Sequence, residues 1–221
     1  LFYETGLLYQ KVTRKNQKFI INTTSFVGLH DQVELHEIIL TNVSDHPISV
    51  QVTTAVPIYA RSADNLRDHR HVTSLLNQIE VVKHGITVKP TLSFDERGHQ
   101  INDTYYSVFA NSKQLEIQGY IPVLDDFVGG GSLHFPKGLN HLSQEGTKVN
   151  GYEAIGAIQF KTIEVKPQES ITLYLSIGIH QDQESMLNTL TYLNEKTFKA
   201  QFEASHQFFT TYVEGLTFEI A

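Results

Sequence analysis

A chain of 221 residues with 17 Lys and Arg against 24 Asp and Glu has a formal charge of −7, which argues against a nucleic-acid backbone as its main partner, because such affinity comes from neutralising phosphates with a basic face. Hydrophobic residues at 40% and charged residues at 19% allow a buried core and exclude disorder, collagen and coiled coil as whole-chain descriptions. There is no cysteine, which removes disulfides, thiolate nucleophiles and Cys-ligated zinc together, and no apolar run approaches the roughly 18 residues of a membrane-spanning helix, so a cytoplasmic protein with no membrane contact is expected.

The chain opens on Leu1 and Phe2 with no leader pattern, which suggests a piece of a longer protein or a processed form. From Phe19 to about Ile179 the dominant signal is alternation of apolar and polar residues, interrupted by Gly, Pro, Asn and Asp clusters; this is the pattern of an antiparallel β-sandwich. Its clearest unit is a strand holding Val33, Leu35, Ile38 and Leu40, then Asn42-Val43-Ser44-Asp45-His46-Pro47, then Ile48, Val50, Val52, Thr54 and Val56 on one face. The middle segment is a turn because Asn, Ser and Asp side chains bond their own backbone and Pro47 fixes φ. Further strands are predicted over 79–82 and 86–88 around Lys83-His84-Gly85, and over 105–110, 115–121, 155–160, 163–165 and 171–179. Around Asp182, a candidate N-cap, the period changes. Met186, Leu187, Leu190 and Leu193, followed by Phe198 and Phe202, predict two helices meeting near Asn194 and ending at Gly215. Three Asn-x-Ser/Thr triplets, at Asn22, Asn42 and Asn102, read as chance occurrences.

Two stretches resist a strand reading, 60–76 and 124–151, and loops on a rigid scaffold are where function concentrates. In the first, Asp64-Asn65-Leu66-Arg67-Asp68-His69-Arg70-His71 crowds six ionisable groups that offer bidentate bonds to sugar hydroxyls, phosphate or a neighbouring domain; the alternative is a surface loop whose charges pair with one another. On a strand, His69 and His71 would point the same way, but a cupin-like metal site would need an acid where Ser74 and Leu75 stand. In the second stretch, Leu124-Asp125-Asp126-Phe127-Val128-Gly129-Gly130-Gly131-Ser132-Leu133-His134-Phe135-Pro136 joins two carboxylates to three glycines, whose bare backbone lets a ligand or chain approach closely. Adjacent carboxylates on an extended chain diverge, so Asp125 and Asp126 make a poor acid/base pair. The remaining histidines are scattered. The sequence has no nucleophile elbow, zincin or dinucleotide fingerprint. It also lacks Trp, although Tyr and Phe total 23.

Together these segments resemble the N-terminal region of glycoside hydrolase family 94, the cellobiose, chitobiose and β-1,2-oligoglucan phosphorylases and related parts of cyclic β-1,2-glucan synthases. Phe26-Val27 through Val33-Glu34-Leu35-His36-Glu37-Ile38-Ile39-Leu40-Thr41-Asn42-Val43-Ser44-Asp45-His46-Pro47 is similar to the family's strand-turn-strand. Asp68-His69-Arg70-His71 stands where many members have His-Pro-x-Phe, and Phe127-Val128-Gly129 to Ser132-Leu133 and Pro136 is similar to an F-x-G…S-L…P loop. The segment 202–220 resembles the helical approach to the catalytic barrel.

The resemblance implies a mainly β fold, a large antiparallel β-sandwich (supersandwich) over 1–180, followed by linker helices over 181–221 that lead to an (α/α)6 barrel beyond Ala221. It implies a parent enzyme that cleaves β-linked gluco-oligosaccharides, β-1,2-linked ones among the candidates, with inorganic phosphate as co-substrate and no other cofactor. The product is glucose 1-phosphate. The family's general acid lies on the barrel, so no catalytic residue and no metal ligand is carried over to this chain. Expected contacts to substrate or barrel are Arg67, Asp68, His69, Arg70, Phe127, Gly130 and Ser132. The implied partners are an oligosaccharide, the barrel of the same protein and, in a homodimer, a second copy. A free-standing carbohydrate-binding sandwich and a cupin-like metal enzyme are the alternatives from other classes.

Overall fold

The computed structural model describes residues 1–60, 70–95 and 98–215. Among them the chain forms strands β1 (Phe2–Thr5), β2 (Tyr9–Lys15), β3 (Phe19–Val27), β4 (Val33–Asn42), β5 (Ile48–Val50) and β6 (Val56–Ile58), followed by a short helix α1 (Arg70–Ser74). There follow β7 (Asn77–Val82), β8 (Gly85–Pro90), β9 (Leu92–Asp95), β10 (Gly98–Ile101), β11 (Tyr105–Asn111) and β12 (Ile117–Val123), then helix α2 (Leu124–Val128). The last elements are β13 (Lys148–Asn150), β14 (Ala154–Phe160), β15 (Ile163–Val165), β16 (Ser170–His180), and helices α3 (Gln183–Asn188) and α4 (Glu195–Glu214).

Among the described residues every strand pair is antiparallel. A nine-stranded sheet runs β1-β2-β3-β4-β16-β11-β8-β7-β13, and a three-stranded sheet β12-β14-β6 lies across one of its faces, with the small pairs β15-β5 and β10-β9 beside them. The mainly β sandwich expected from the alternation is therefore what forms. Period 2 sorts the side chains of the large sheet onto two faces. One face carries Ile38, Leu40, Ile86, Val88, Val108, Ala110, Leu173 and Leu175 against Tyr120, Ala154, Ile158 and Phe160 of the small sheet. The other carries Val33, Leu35, Phe109 and Tyr174 against Met186, Leu193 and Phe198 of the C-terminal helices. The small sheet in turn buries Ile121, Ile155 and Ala157 beneath Leu124 and Phe127.

The C-terminal helices start where the sequence places them. Asp182 accepts a bond from the Ser185 amide at 2.7 Å, Asn194 accepts one from Thr197 at 3.1 Å, and Gly215 closes α4. These caps satisfy amides that the helix itself leaves unpaired.

Three expectations are corrected. The segment after Pro47 is not one strand: β5 pairs with β15, Thr53 bridges to Gln159, and β6 pairs with β14, so the chain crosses from one small sheet to another while Val50, Val52 and Val56 stay on the core side. The stretch 124–151 is not wholly irregular, because α2 and β13 lie within it. The region before Phe19 holds two strands that the alternation did not reveal, and β9 and β10 were likewise missed.

Asn42 explains the turn motif. It is fully buried; its amide donates to the carbonyls of His46 and Val165, both at 2.9 Å, and its carbonyl accepts from the amide and hydroxyl of Ser44 at 2.9 and 2.7 Å. One side chain thus ties β4, the turn and β15 together with its hydrogen-bonding capacity used. Asn42→Ala takes the side-chain donor from the Val165 carbonyl and the acceptor from the Ser44 amide, while the Ser44 hydroxyl still reaches the His46 carbonyl at 2.9 Å, and a loss of about 1–3 kcal/mol is expected. Urea unfolding measures it; a midpoint within error of the parent would refute this role for Asn42.

Candidate functional site

Both loops singled out in the sequence leave the fold at one end of the small sheet. Arg67, Asp68 and His69 lie outside the described residues. Arg70 opens α1, placed there by its backbone, and His71 follows it in the same helix. The paired-histidine idea needs His69 and so lies outside the described residues. No group of three or more His, Asp or Glu able to hold a metal ion occurs among the described residues.

Thr73 and Ser74 at the end of α1 are buried and line a narrow cleft with Tyr59, Ala60, Asn77 and Glu153. The segment Gly151-Tyr152-Glu153 is the junction of the two loops. Asn77 donates to the Tyr152 carbonyl at 3.0 Å and accepts from the Gly151 amide at 2.9 Å through its own backbone carbonyl, while the Leu124 amide donates to the Glu153 carbonyl at 2.8 Å. Tyr59 and Tyr152 both stand about half exposed at this junction, at 52% and 53%. Sequence reasoning missed both. Tyr59 lies between the buried Ile58 and Ala60, and that alternation was the available signal that its ring faces outward.

The second loop is more ordered than its glycines suggest. Asp125 and Asp126 form the first turn of α2 rather than an extended pair, and both are exposed. Gly129 ends the helix at φ 53, donating its amide to the Asp125 carbonyl, and Gly130 continues at φ 76. These left-handed values suit glycine. The chain then returns beside α2 so closely that a Cβ on Gly138 would sit 1.6 Å from the Asp126 carbonyl oxygen. At the tip, Ser132 and Phe135 exchange backbone bonds at 3.2 and 3.1 Å, and the Ser132 hydroxyl accepts a further bond from the Phe135 amide.

This double closure holds out Leu133 and Phe135, the latter 81% exposed. Of the expected contact residues, Gly130 and Ser132 therefore belong to a projecting tip. Phe127 does not, being 2% exposed and packed in the core with Ile121, Ile155 and Ala157. Its ring holds the loop to the small sheet instead of facing a ligand.

The histidines with shifted acidity are dispersed. The Ser25 hydroxyl and His36 Nδ1 are 2.7 Å apart, and Nε2 lies 3.5 Å from Glu34; burial holds this ring below the ordinary histidine range against the pull of Glu34. His180 Nε2 and the Ser107 hydroxyl are 2.9 Å apart, and burial lowers its pKa against Asp31 and Asp182. His84, at the tip of the β7–β8 hairpin with φ 66, is lowered by burial and Lys83 against Glu145.

Residues 3–196 match the family described as glycosyl hydrolase 94, supersandwich domain. Among solved structures, the chain is similar to a polysaccharide lyase, at 14% identity and a TM-score of 0.46 over 81% of this chain and 23% of that one. It is also similar to a protein assigned as a kojibiose phosphorylase from the human microbiome, at 13% identity and a TM-score of 0.47 over 91% of this chain and 23% of that one. The chain thus spans about a quarter of each of these solved chains. No curated protein matches it.

Phe127→Ala is expected to cost about 3–5 kcal/mol through lost burial and a residual cavity, whereas Phe135→Ala leaves the urea midpoint unchanged; equal effects would refute the assignment of the anchor to the base alone. The folded state also disfavours protonated His36, His84 and His180. Between their lowered folded values and the ordinary 6.5 the unfolded chain binds more protons, so stability rises with pH. Their contribution is full above about pH 6.5 and is lost as pH falls below it. Urea midpoints should drop between about pH 7.5 and 5, less steeply in His180→Gln, and a variant with the parent's acid slope would remove His180 from this account.

Proposed function

The chain belongs to the glycosyl hydrolase 94 supersandwich family, and from that premise we propose that it is the non-catalytic N-terminal domain of an inverting β-glucoside phosphorylase. The parent reaction is phosphorolysis of β-linked gluco-oligosaccharides to glucose 1-phosphate, with β-1,2-linked chains as the first linkage to test and inorganic phosphate as co-substrate. In this reading the domain covers a flank of an (α/α)6 catalytic barrel and its two loops close one wall of the sugar cleft. The family match over 3–196 is the observation that carries it.

Two surface features support the role. The projecting tip offers Leu133 and Phe135, and the last turns of α4 offer Phe208, Tyr212 and Val213, with Leu29 beside them in an open groove of about 800 Å3. Exposed apolar side chains grouped in this way mark surfaces that pack against something else. No described helix is long and apolar enough to cross a membrane, and a cytoplasmic setting is part of the proposal. Gly130 and Ser132 at the tip, with Arg67, Asp68, His69 and Arg70, are proposed as contacts to substrate or to the barrel, and a homodimer is proposed as the assembly.

The test is glucose 1-phosphate release from a panel of β-linked gluco-oligosaccharides, by the 221-residue chain and by a longer protein in which it precedes a barrel. Phosphate-dependent release by the longer protein alone is expected, together with weakened acceptor use in its Arg70→Ala variant at unchanged unfolding temperature. Hydrolysis without phosphate, or release by the 221-residue chain itself, overturns the reading.

A further inference from the structure

The helix-covered face of the large sheet carries a groove of about 870 Å3 that neither loop lines. Its floor is Glu37 and Ile39 of β4 with Thr172 and Tyr174 of β16; Asn111 and Lys113 close one end, and the first turn of α4, with Lys196 and Lys199, forms the wall. The volume lies in the range of small-molecule sites, roughly 300–1,000 Å3. The small sheet occupies the opposite face of these strands, so the groove and the two loops are served by different surfaces of the domain.

The lining selects a class of ligand. Three lysines meet two glutamates, and some of this charge is already engaged: Lys199 stands 2.6 Å from Glu195, and the Tyr174 hydroxyl donates to Glu37 at 3.1 Å. An inorganic anion would be drawn to the start of α4, but that position is satisfied. The Asn194 side chain caps the Thr197 amide, and Glu195 supplies the negative charge that a helix N-terminus favours. A purely apolar ligand would strand Glu37, Lys113 and Thr172.

A sugar hydroxyl is donor and acceptor at once, and it finds both kinds of partner here. Glu37 and the Asn111 carbonyl oxygen accept, the Asn111 amide being engaged with the Leu193 carbonyl at 3.0 Å. Lys113 and Lys196 donate, and among the described residues neither has a carboxylate within ion-pair distance. Ile39, half-buried, adds a small apolar surface for the C–H face of a pyranose ring, over the buried Tyr174 and Leu193.

We propose that this groove is a saccharide-binding site for a neutral oligosaccharide of two or three units, separate from the cleft walled by the loops. It gives the domain a second hold on a sugar chain and goes beyond the phosphorylase reading, since it requires no barrel and no phosphorolysis.

The test is a titration of the 221-residue chain with sophorotriose, with cellotriose and, separately, with inorganic phosphate, followed by amide NMR shifts. Saturable shifts at Asn111, Lys113 and Thr172 are expected with at least one trisaccharide, and affinity about tenfold weaker in Lys113→Ala and in Glu37→Gln, as the loss of one charge-assisted hydrogen bond implies. Four outcomes overturn the proposal: no saturation with either sugar, shifts confined to residues 129–136, affinity unchanged in both variants, or phosphate moving the groove amides while the sugars do not. Because glucose 1-phosphate is not measured, failure here is distinct from failure of the phosphorylase reading.

Discussion

A β-sheet apolar on both faces must find two covers, and the architecture follows from how this chain supplies them. The central strands β4, β16 and β11 present Leu40, Leu173 and Val108 on one side and Leu35, Tyr174 and Phe109 on the other. Neither side can be left in water, since burial of apolar area is the dominant favourable term in folding. The first cover is the three-stranded sheet, which approaches so closely that a Cβ on Gly156 would stand 2.4 Å from Val108. The second is the helical tail. Tyr120 links the layers beyond simple packing: its ring is buried and its hydroxyl accepts a bond from the His84 amide at 3.1 Å, joining the small sheet to the hairpin of the large one.

What could be read from the sequence tracks this two-sided burial. The strand 171–179 was visible because Ile171, Leu173 and Leu175 face the small sheet while the positions between them face the helices. Strand β1 was invisible for the converse reason: no residue of β1 through β3 joins the core beneath the small sheet, and β1 is exposed throughout, while β2 gives the helical side little beyond Tyr9. A strand wetted on both faces carries no alternation to read. The crossing at 50–56 was hidden because its valines keep one face while their hydrogen-bonding partners change. Register is a property of the backbone, and side-chain polarity does not report it.

The candidate site was legible by composition more than by geometry. Gly-Gly-Gly and the acidic pair drew attention to the loop that projects Leu133 and Phe135, yet the helix within it was missed because five residues are too few to show a period. Phe127 looked like a contact residue and is a core residue; its exposed counterpart is Phe135. The difference lies in the left-handed glycines between them, which reverse the chain and turn the second aromatic outward. Tyr59 and Tyr152 escaped notice because they are linked only through the pairing of β6 with β14, a contact across almost a hundred residues of sequence.

Helix α4 connects these layers to any larger assembly. Its first half is structural: Phe198 and Phe202 pack edge-on against Phe26 at 5.2 and 5.3 Å, Phe202 meets Tyr9 at 5.3 Å, and Ser205 reaches the Val27 carbonyl. Its second half carries Phe208 and Tyr212 outward. A single rigid helix therefore joins the core to an exposed apolar surface without a flexible joint between them. Whatever seats on the outer half is positioned by the same contacts that cover the large sheet, so the stability of the sandwich and the alignment of its neighbour are one mechanical property. That coupling lets contacts inside the domain set the position of its outer apolar face.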